Sequence, residues 1–312
     1  MVDPNAYKQA KSNNFWHNMW KHRAHLLMAL PAFLILLLFS YVPMTGLIMA
    51  FKKFNYADGI WKSPFNGIDN FKFLISSKDI FIRMTKNTFM YYLIFTILGT
   101  FLNVVVAIAI DQLAFKKLGK TLQSIMIVPI FISYAAVQFI VYALLSQESG
   151  LINQTFGTAT RWYMEPKYWP MILTIVKMWN SVGYGSVLYM SVLAGIDQEQ
   201  YEAAQIDGAN KWQQICHITI PSLVPMITIM LLLSVGGIMR SDTGLFYQVT
   251  RNSGVLYDTT QVIDSYVLGQ ILKSSNFGFT AAATLFQSVV GTGLIIIANG
   301  VVRKLHPENA LF

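Results

Sequence analysis

The chain has 312 residues, 54% of them hydrophobic and only 12% charged. An ordinary soluble domain carries about a quarter charged residues, so this deficit, with several apolar runs near 20 residues, describes an integral membrane protein. The formal net charge of +8 does not point to nucleic acid: no basic run interleaved with aromatics forms a groove-like patch, and many Lys and Arg sit beside the apolar runs, where they suit anionic head groups.

Further chemistry is excluded residue by residue. Cys216 is the sole cysteine, so an intrachain disulfide is impossible. His17, His22, His25, His217 and His306 lack metal-ligand spacing, and neither His-Glu-x-x-His nor Gly-x-Ser-x-Gly occurs. No metal site and no catalytic residue is expected.

Residues 1–24 are polar and basic, and Phe15, Trp16, Met19 and Trp20 recur at helical spacing, as in a cytoplasmic interfacial segment. The first apolar run, 25–51, is too long for a signal-peptide core and reads as a retained span, interrupted by Pro31 and Pro43. Residues 52–86 are too polar to span and too aromatic for a plain linker, with Tyr56, Trp61, Phe65, Phe71, Phe73 and Phe81; short interfacial helices on the outer face are expected. A second span follows at 88–110 and a third at 122–145. Lys116, Lys117 and Lys120 make the turn between them basic, a cytoplasmic signal. Gly119-Lys120-Thr121 mimics the end of a phosphate-binding loop, but Ala114 stands where that loop needs glycine, so no ATP site is expected in this chain. Residues 146–168 form a polar loop, whose Asn153-Gln154-Thr155 is read as a chance glycosylation triplet.

The fourth span, 169–194, leads into the most informative stretch. Asp197 is placed to cap a short helix, with carboxylates in its first turn, and Gly208 supplies a left-handed stop. Asn210 with Gln213 reads as a second N-cap, and Pro221 is expected to close that helix where the fifth span, 221–239, begins. Small Ala203 and Ala204 permit close backbone approach, and Glu202 offers a charge. The pattern is that of a membrane loop made to dock a cytosolic partner. A mixed segment, 240–276, and a sixth span, 279–302, complete the chain, with Arg303 and Lys304 marking an inside C-terminus. Seven Lys and Arg in 52–86 run against this orientation; the basic turn and the C-terminal pair favour it.

Glu202-Ala203-Ala204, then Gly208, Ile218 and Pro221, resemble the EAA loop of bacterial ABC importer permeases, departing only at Ile220, where Leu is usual. The surrounding Gly195-Ile196-Asp197 and Asp207-Gly208-Ala209-Asn210-Lys211-Trp212, with Tyr41-Val42-Pro43-Met44 and Gly67-Ile68-Asp69-Asn70-Phe71, look most like carbohydrate-uptake members. The resemblance implies an all-α, type I importer permease fold. It implies six transmembrane helices, with both termini cytoplasmic and one permease domain over 25–312, in a bacterial cytoplasmic membrane. The coupling loop, about 196–220, would seat in an ATPase subunit. Glu202 would pair with a basic residue there, and Gly208 would set the angle between the two short helices. The implied partners are a second homologous permease, two ATPase subunits carrying ATP and Mg, an extracellular solute-binding protein and a sugar, with an oligosaccharide favoured.

Polar residues within spans tend to face a cavity or a partner helix. Asn180, Ser181 and Tyr184 share a face of the fourth span, and Ser234 and Ser241 lie on or just after the fifth. By resemblance to the maltose-type permease, Ser181, Tyr184, Ser234 and Ser241 fall near substrate contacts. This mix suits an uncharged polyhydroxylated solute crossing a pathway poor in charge. A non-sugar ABC permease and an ion-coupled transporter are the alternatives; the latter wants intramembrane carboxylates, and Lys177 is a charge within the fourth span without an acidic partner nearby in sequence.

Overall fold

A chain this apolar must satisfy its backbone amides within its own segments, because lipid offers no water to do so. The computed structural model describes residues 20–72, 76–113, 115–274 and 277–305, and among them helices carry the architecture; the one isolated bridge pairs Lys52 with Phe65. Most of the interfacial reading of 1–24 lies outside the described residues. Among the described residues, four helices are long and apolar enough to cross a membrane, or five if a bent pair counts as one span.

The first of these runs from Arg23 to Phe51. It opens as α1 (Arg23–Leu36), which accommodates Pro31, and continues through a π turn over Leu37–Tyr41 into a 3-10 segment over Thr45–Phe51. None of α1 is buried, so its whole apolar circumference is available to lipid. Only its far end joins the body: Ala50 packs against Ala281 and Ala282. The Asn70 amide donates to the carbonyls of Ala50 (3.0 Å) and Lys52 (2.9 Å), closing that helix end.

The expected interfacial helices of 52–86 are present as Gly59–Lys62 and Asp69–Phe71, but the second span begins earlier than the hydropathy indicates. Helix α2 (Lys78–Asp111) has 34 residues, roughly 50 Å at 1.5 Å per residue, longer than the ~30 Å hydrocarbon core. Its first turns are polar because they clamp the segment that follows the fifth span. Arg83 pairs with Asp258, the Asn87 amide donates to the Gln261 carbonyl (3.1 Å), and the Tyr91 hydroxyl donates to the Thr259 carbonyl (2.7 Å).

The third span departs from the straight helix expected over 122–145. Helix α3 (Lys116–Ile127) tightens into a 3-10 turn over Val128–Phe131, and α4 (Tyr134–Leu145) leaves at 100° to it. The Pro129 carbonyl accepts from the Ile132 amide within the turn (3.1 Å) and, across the helices, from the Asn180 amide at 2.7 Å, and the Tyr134 hydroxyl donates to the same side chain at 3.3 Å. Broken backbone survives at membrane depth where protein satisfies it, and Asn180 adds a cross-helix donor at the break.

Helix α5 (Trp169–Leu193) supplies Asn180 and runs through the centre, packed on α2 and α3. Its 25 residues are long enough to span, yet its polar residues keep it out of the helices apolar enough by composition; Asn180, Ser186 and Tyr189 among them are buried against protein. Gly183 permits its closest approach: a Cβ there would lie 1.8 Å from the Met126 carbonyl oxygen of α3. Towards one end of α5, Trp169 and Leu173 join Tyr91, Val141 and Phe246 in the main core; towards the other, Tyr189 and Leu193 meet Ala107 and Leu223.

After α6 (Gln198–Ile206) comes a continuous helical run over Lys211–Val235. It comprises α7 (Lys211–Gln214), a π turn over Ile215–Thr219 and α8 (Ile220–Val235). Pro221 therefore does not close a helix. It sits in the first turn of α8, where a missing N–H costs nothing, and the π turn absorbs the break. The fold ends with α9 (Ile263–Ser274) and α10 (Phe277–Leu305).

Replacing Gly183 with Ala is expected to force α3 from α5 and cost roughly 1–3 kcal/mol. Gly291→Ala, at a site where a Cβ meets nothing within 4 Å, is the matched control. Thermal denaturation in detergent should show a lowered midpoint for the first variant only.

Candidate coupling loop and translocation cavity

The stretch between α5 and α8 takes its shape from local chemistry. The Asp197 carboxylate accepts from the Glu199 amide (3.0 Å), capping α6. At the far end Gly208 adopts φ +81 with open space where a Cβ would be, so the position demands glycine for its backbone, not for room. The Ala209 amide donates to the Ala204 carbonyl (2.8 Å) and the Gly208 amide to the Gln205 carbonyl (3.1 Å), the paired bonds of a Schellman stop. Two residues on, Asn210 and Gln213 form a reciprocal capping box at 2.8 and 2.9 Å, starting α7.

Helix α6 is tied to the body through the Tyr201 hydroxyl, 3.0 Å from the Thr219 hydroxyl. Between α6 and the π turn lies a groove of about 300 Å³ lined by Ala204, Asp207, Gly208, His217 and Ile218, among others. Glu202 and Ala203 are exposed, and among the described residues Glu202 has no ion-pair partner. Ile206 is 88% exposed and Trp212 70%, an apolar pair that spacing alone did not single out. The loop thus presents a carboxylate, two large apolar side chains and small residues on a capped frame.

Two to three turns into α5 from Trp169, a second feature faces the bundle interior. A cavity of about 150 Å³ is lined by residues that include Tyr92, Lys177, Arg240, Ser241, Asp242 and Phe246. Lys177 donates to Asp242 at 3.3 Å, so it does have an acidic partner, 65 positions away in sequence. The other Asp242 oxygen accepts from the Gly244 amide (3.1 Å), which fixes the carboxylate at the start of a π segment over Gly244–Val249. Asp264 accepts from the Ser241 amide (2.7 Å) and hydroxyl (2.8 Å) and from the Gln287 amide (3.2 Å). The cavity therefore has a charged wall, assembled from α5 and the segment after α8, where the sequence leads to the expectation of a pathway poor in charge.

The five polar candidates separate in space. Ser241 lines the cavity, and the Ser234 hydroxyl lies 3.0 Å from that of Tyr92, which lines it too. Ser181 donates back to the Lys177 carbonyl (2.8 Å), within its own helix. Asn180 is buried and occupied with Pro129 and Tyr134, whereas Tyr184 is exposed on another side of α5. The shared face read from the sequence is thus split between the helix packing and the surface.

A family profile described as binding-protein-dependent transport system inner membrane component matches residues 99–307, spanning the basic turn, the loop and the cavity's Lys177 and Arg240–Asp242. The chain belongs to this family. Among similar proteins, LplB of Bacillus subtilis (strain 168) is 28% identical over 286 residues, covering 90% of this chain and 89% of LplB. The polygalacturonan/rhamnogalacturonan transport system permease protein YteP of the same organism is 25% identical over 311 residues, covering 98% and 96%. A chain from the crystal structure of a bacterial ABC transporter involved in import of the acidic polysaccharide alginate superposes with a TM-score of 0.84 at 28% identity, covering 94% of this permease and 100% of that chain. The fold is that of a type I ABC importer permease, and the permease is a transport subunit of a binding-protein-dependent system.

Sequence reasoning missed Arg240 and Asp242 as cavity groups, and Asp264 as the partner of Ser241, because the chain returns to α5 only through tertiary packing. A signal was available: a lone Lys within a span demands a counter-charge. In the permease, Lys177→Met and Asp242→Asn should each destabilise by roughly 1.5 kcal/mol, the low end for a charged hydrogen bond because both groups keep some access to water. The double variant should lose less than the sum, which a double-mutant cycle on detergent-solubilised protein would measure.

Proposed function

We propose that this permease forms one half of the membrane pore of an ATP-driven carbohydrate importer, with an oligosaccharide as its cargo. In this reading residues 25–312 form one membrane domain that crosses six times, with both termini in the cytoplasm of a bacterial cell. What supports six crossings is the sum of the four apolar helices, the bent α3–α4 pair and the protein-enclosed α5. A second homologous permease completes the pore. Two ATPase subunits hold the ATP and Mg, and an extracellular binding protein delivers the sugar. The names of the relatives, with their polygalacturonan, rhamnogalacturonan and alginate, support the carbohydrate assignment.

The single observation that carries the proposal is the geometry of 196–220. Two short helices, stopped by Gly208 and restarted by Asn210, stand between α5 and α8 with Glu202, Ile206 and Trp212 exposed. Ala203 and Ala204 let the ATPase surface approach, and Glu202 pairs with a basic residue there. Asp207 and Gly208 hold the angle, while Ile218 and Pro221 join the loop to α8. Closure of the ATPase dimer on ATP pushes this unit, and the spans pass from inward- to outward-facing because the nucleotide-bound dimer favours one state over the other. Ser241 and Ser234 meet cargo hydroxyls at the cavity; Ser181 and Tyr184 contribute along α5, and Asn180 keeps the broken span in register beside the path.

Affinity purification of the chain in mild detergent, with mass spectrometry of the co-eluting proteins, tests this. An ATPase and a second permease should co-elute. The ATPase should be lost from Glu202→Lys combined with Gly208→Val, since a β-branched residue at φ +81 strains the hinge. A chain that elutes alone, or a variant that keeps its ATPase, would count against the reading.

A further inference from the structure

The end of the fold opposite the coupling loop carries a second cavity that the carbohydrate reading did not require. Helix α5 spans roughly 37 Å from the coupling loop to Trp169. Beside Trp169, the 146–168 loop and the turn at Arg251 enclose about 290 Å³, near the lower end of small-molecule pockets. Tyr142, Trp162 and Tyr163 supply rings, and Arg161 and Arg251 supply the charge.

The frame around it is fixed. Buried Asn153 donates to the Thr160 carbonyl (2.9 Å) and the Gln147 carbonyl (3.3 Å), and its amide oxygen accepts from Thr158 (3.0 Å) and the Trp162 indole (3.0 Å). All four of its bonding positions are occupied, so the glycosylation triplet is a structural device. Tyr163 is held neutral, its hydroxyl pushed up to about 12 by burial, against the lowering by Arg251. Arg251 has φ +55 and Asn252 φ +47, a left-handed turn that non-glycine residues adopt at a strain. That turn sets the Arg251 guanidinium over the Tyr142 ring at 4.3 Å.

Neither Arg161 nor Arg251 has an ion-pair partner among the described residues, and no carboxylate lines the cavity: Glu165 is paired with Lys167. The inner cavity repeats the pattern. Asp242 and Asp264 are committed to Lys177, Ser241 and Gln287, while the Arg240 guanidinium has no anionic partner among the described residues. Guanidinium forks match carboxylates bidentately, and the rings offer faces to sugar C–H groups.

We propose that the Arg161–Arg251 cavity is an outer subsite for a carboxylate-bearing sugar unit, that Arg240 is the next station inward, and that the cargo is an acidic oligosaccharide. The proposal rests on the carbohydrate reading and narrows it. A concave, ring-lined site favours a sugar over a carboxylate on the binding protein's surface.

The test uses the permease with its co-purified partners in lipid nanodiscs, without binding protein. Equilibrium binding is measured for labelled trigalacturonate and for its neutral methyl ester. Trigalacturonate should bind at least about tenfold tighter than the ester, and weaken with added salt. Arg161→Gln with Arg251→Gln should cost the acid about tenfold and the ester little; the Arg→Lys pair should recover part of the loss. Both arginines are exposed, so the ATPase should still co-purify, which checks folding. Equal affinity for acid and ester would overturn the charge selection while leaving a carbohydrate permease intact. No binding of either probe, or a glutamine variant that binds the acid normally but fails to capture the binding protein, would also overturn it, the last assigning the arginines to protein docking.

Discussion

The hydrogen bond from the Asn180 amide to the Pro129 carbonyl is the contact on which the arrangement of spans depends. Lipid tolerates a broken helix only where protein satisfies its backbone, and at the Pro129 carbonyl the Ile132 amide of the turn and the Asn180 amide of the central helix both donate. The same stretch of α5 carries Gly183, whose bare backbone lies against Met126 of α3. Together these contacts bring α3 hard onto α5 and let α4 leave at 100°, towards the main core. The bend thereby places Tyr134, at the start of α4, close to Lys177 and Asn180 on α5.

Function then divides along α5. One end leads into a loop whose stops and caps are made of backbone geometry and short polar side chains. The other end meets a ring-lined vestibule, and between them lies a charged wall. Lys177 and Asp242 illustrate why charges can stand at that depth: each neutralises the other, and Asp242 also caps the π segment over Gly244–Val249. An ion-coupled carrier would want such a carboxylate free to exchange its ion. Its commitment to Lys177 and to backbone amides leaves it a structural part of the wall.

What could be read from the sequence was what short-range chemistry decides. Asp197, Gly208 and the Asn210–Gln213 pair act within a few residues of themselves, so their caps and stop appeared where spacing placed them. Long apolar runs also announced themselves. Three features escaped because their causes lie elsewhere in the chain. The bend falls at Ile132 and Ser133, three or more residues past Pro129, and is held by Asn180 about 50 positions away. Pro221 looked like a terminator, yet a π turn carries the helix through it. The α2 start at Lys78 is polar and reads as loop until Asp258 and Gln261 are seen packed against it. Asn180, Ser181 and Tyr184 take different surroundings, because helical spacing shows which residues are neighbours, not which neighbour faces lipid, cavity or protein.

The central claim is that the two ends of α5 meet different partners on opposite sides of a membrane. Photo-crosslinking in intact cells tests it directly, with a benzophenone side chain placed at Ile206 or, in a second strain, at Phe156, which is 74% exposed near the other end. The account predicts an adduct with an ATPase subunit from position 206 and with an extracellular binding protein from position 156. An ATPase adduct from position 156, or a binding-protein adduct from position 206, would contradict it.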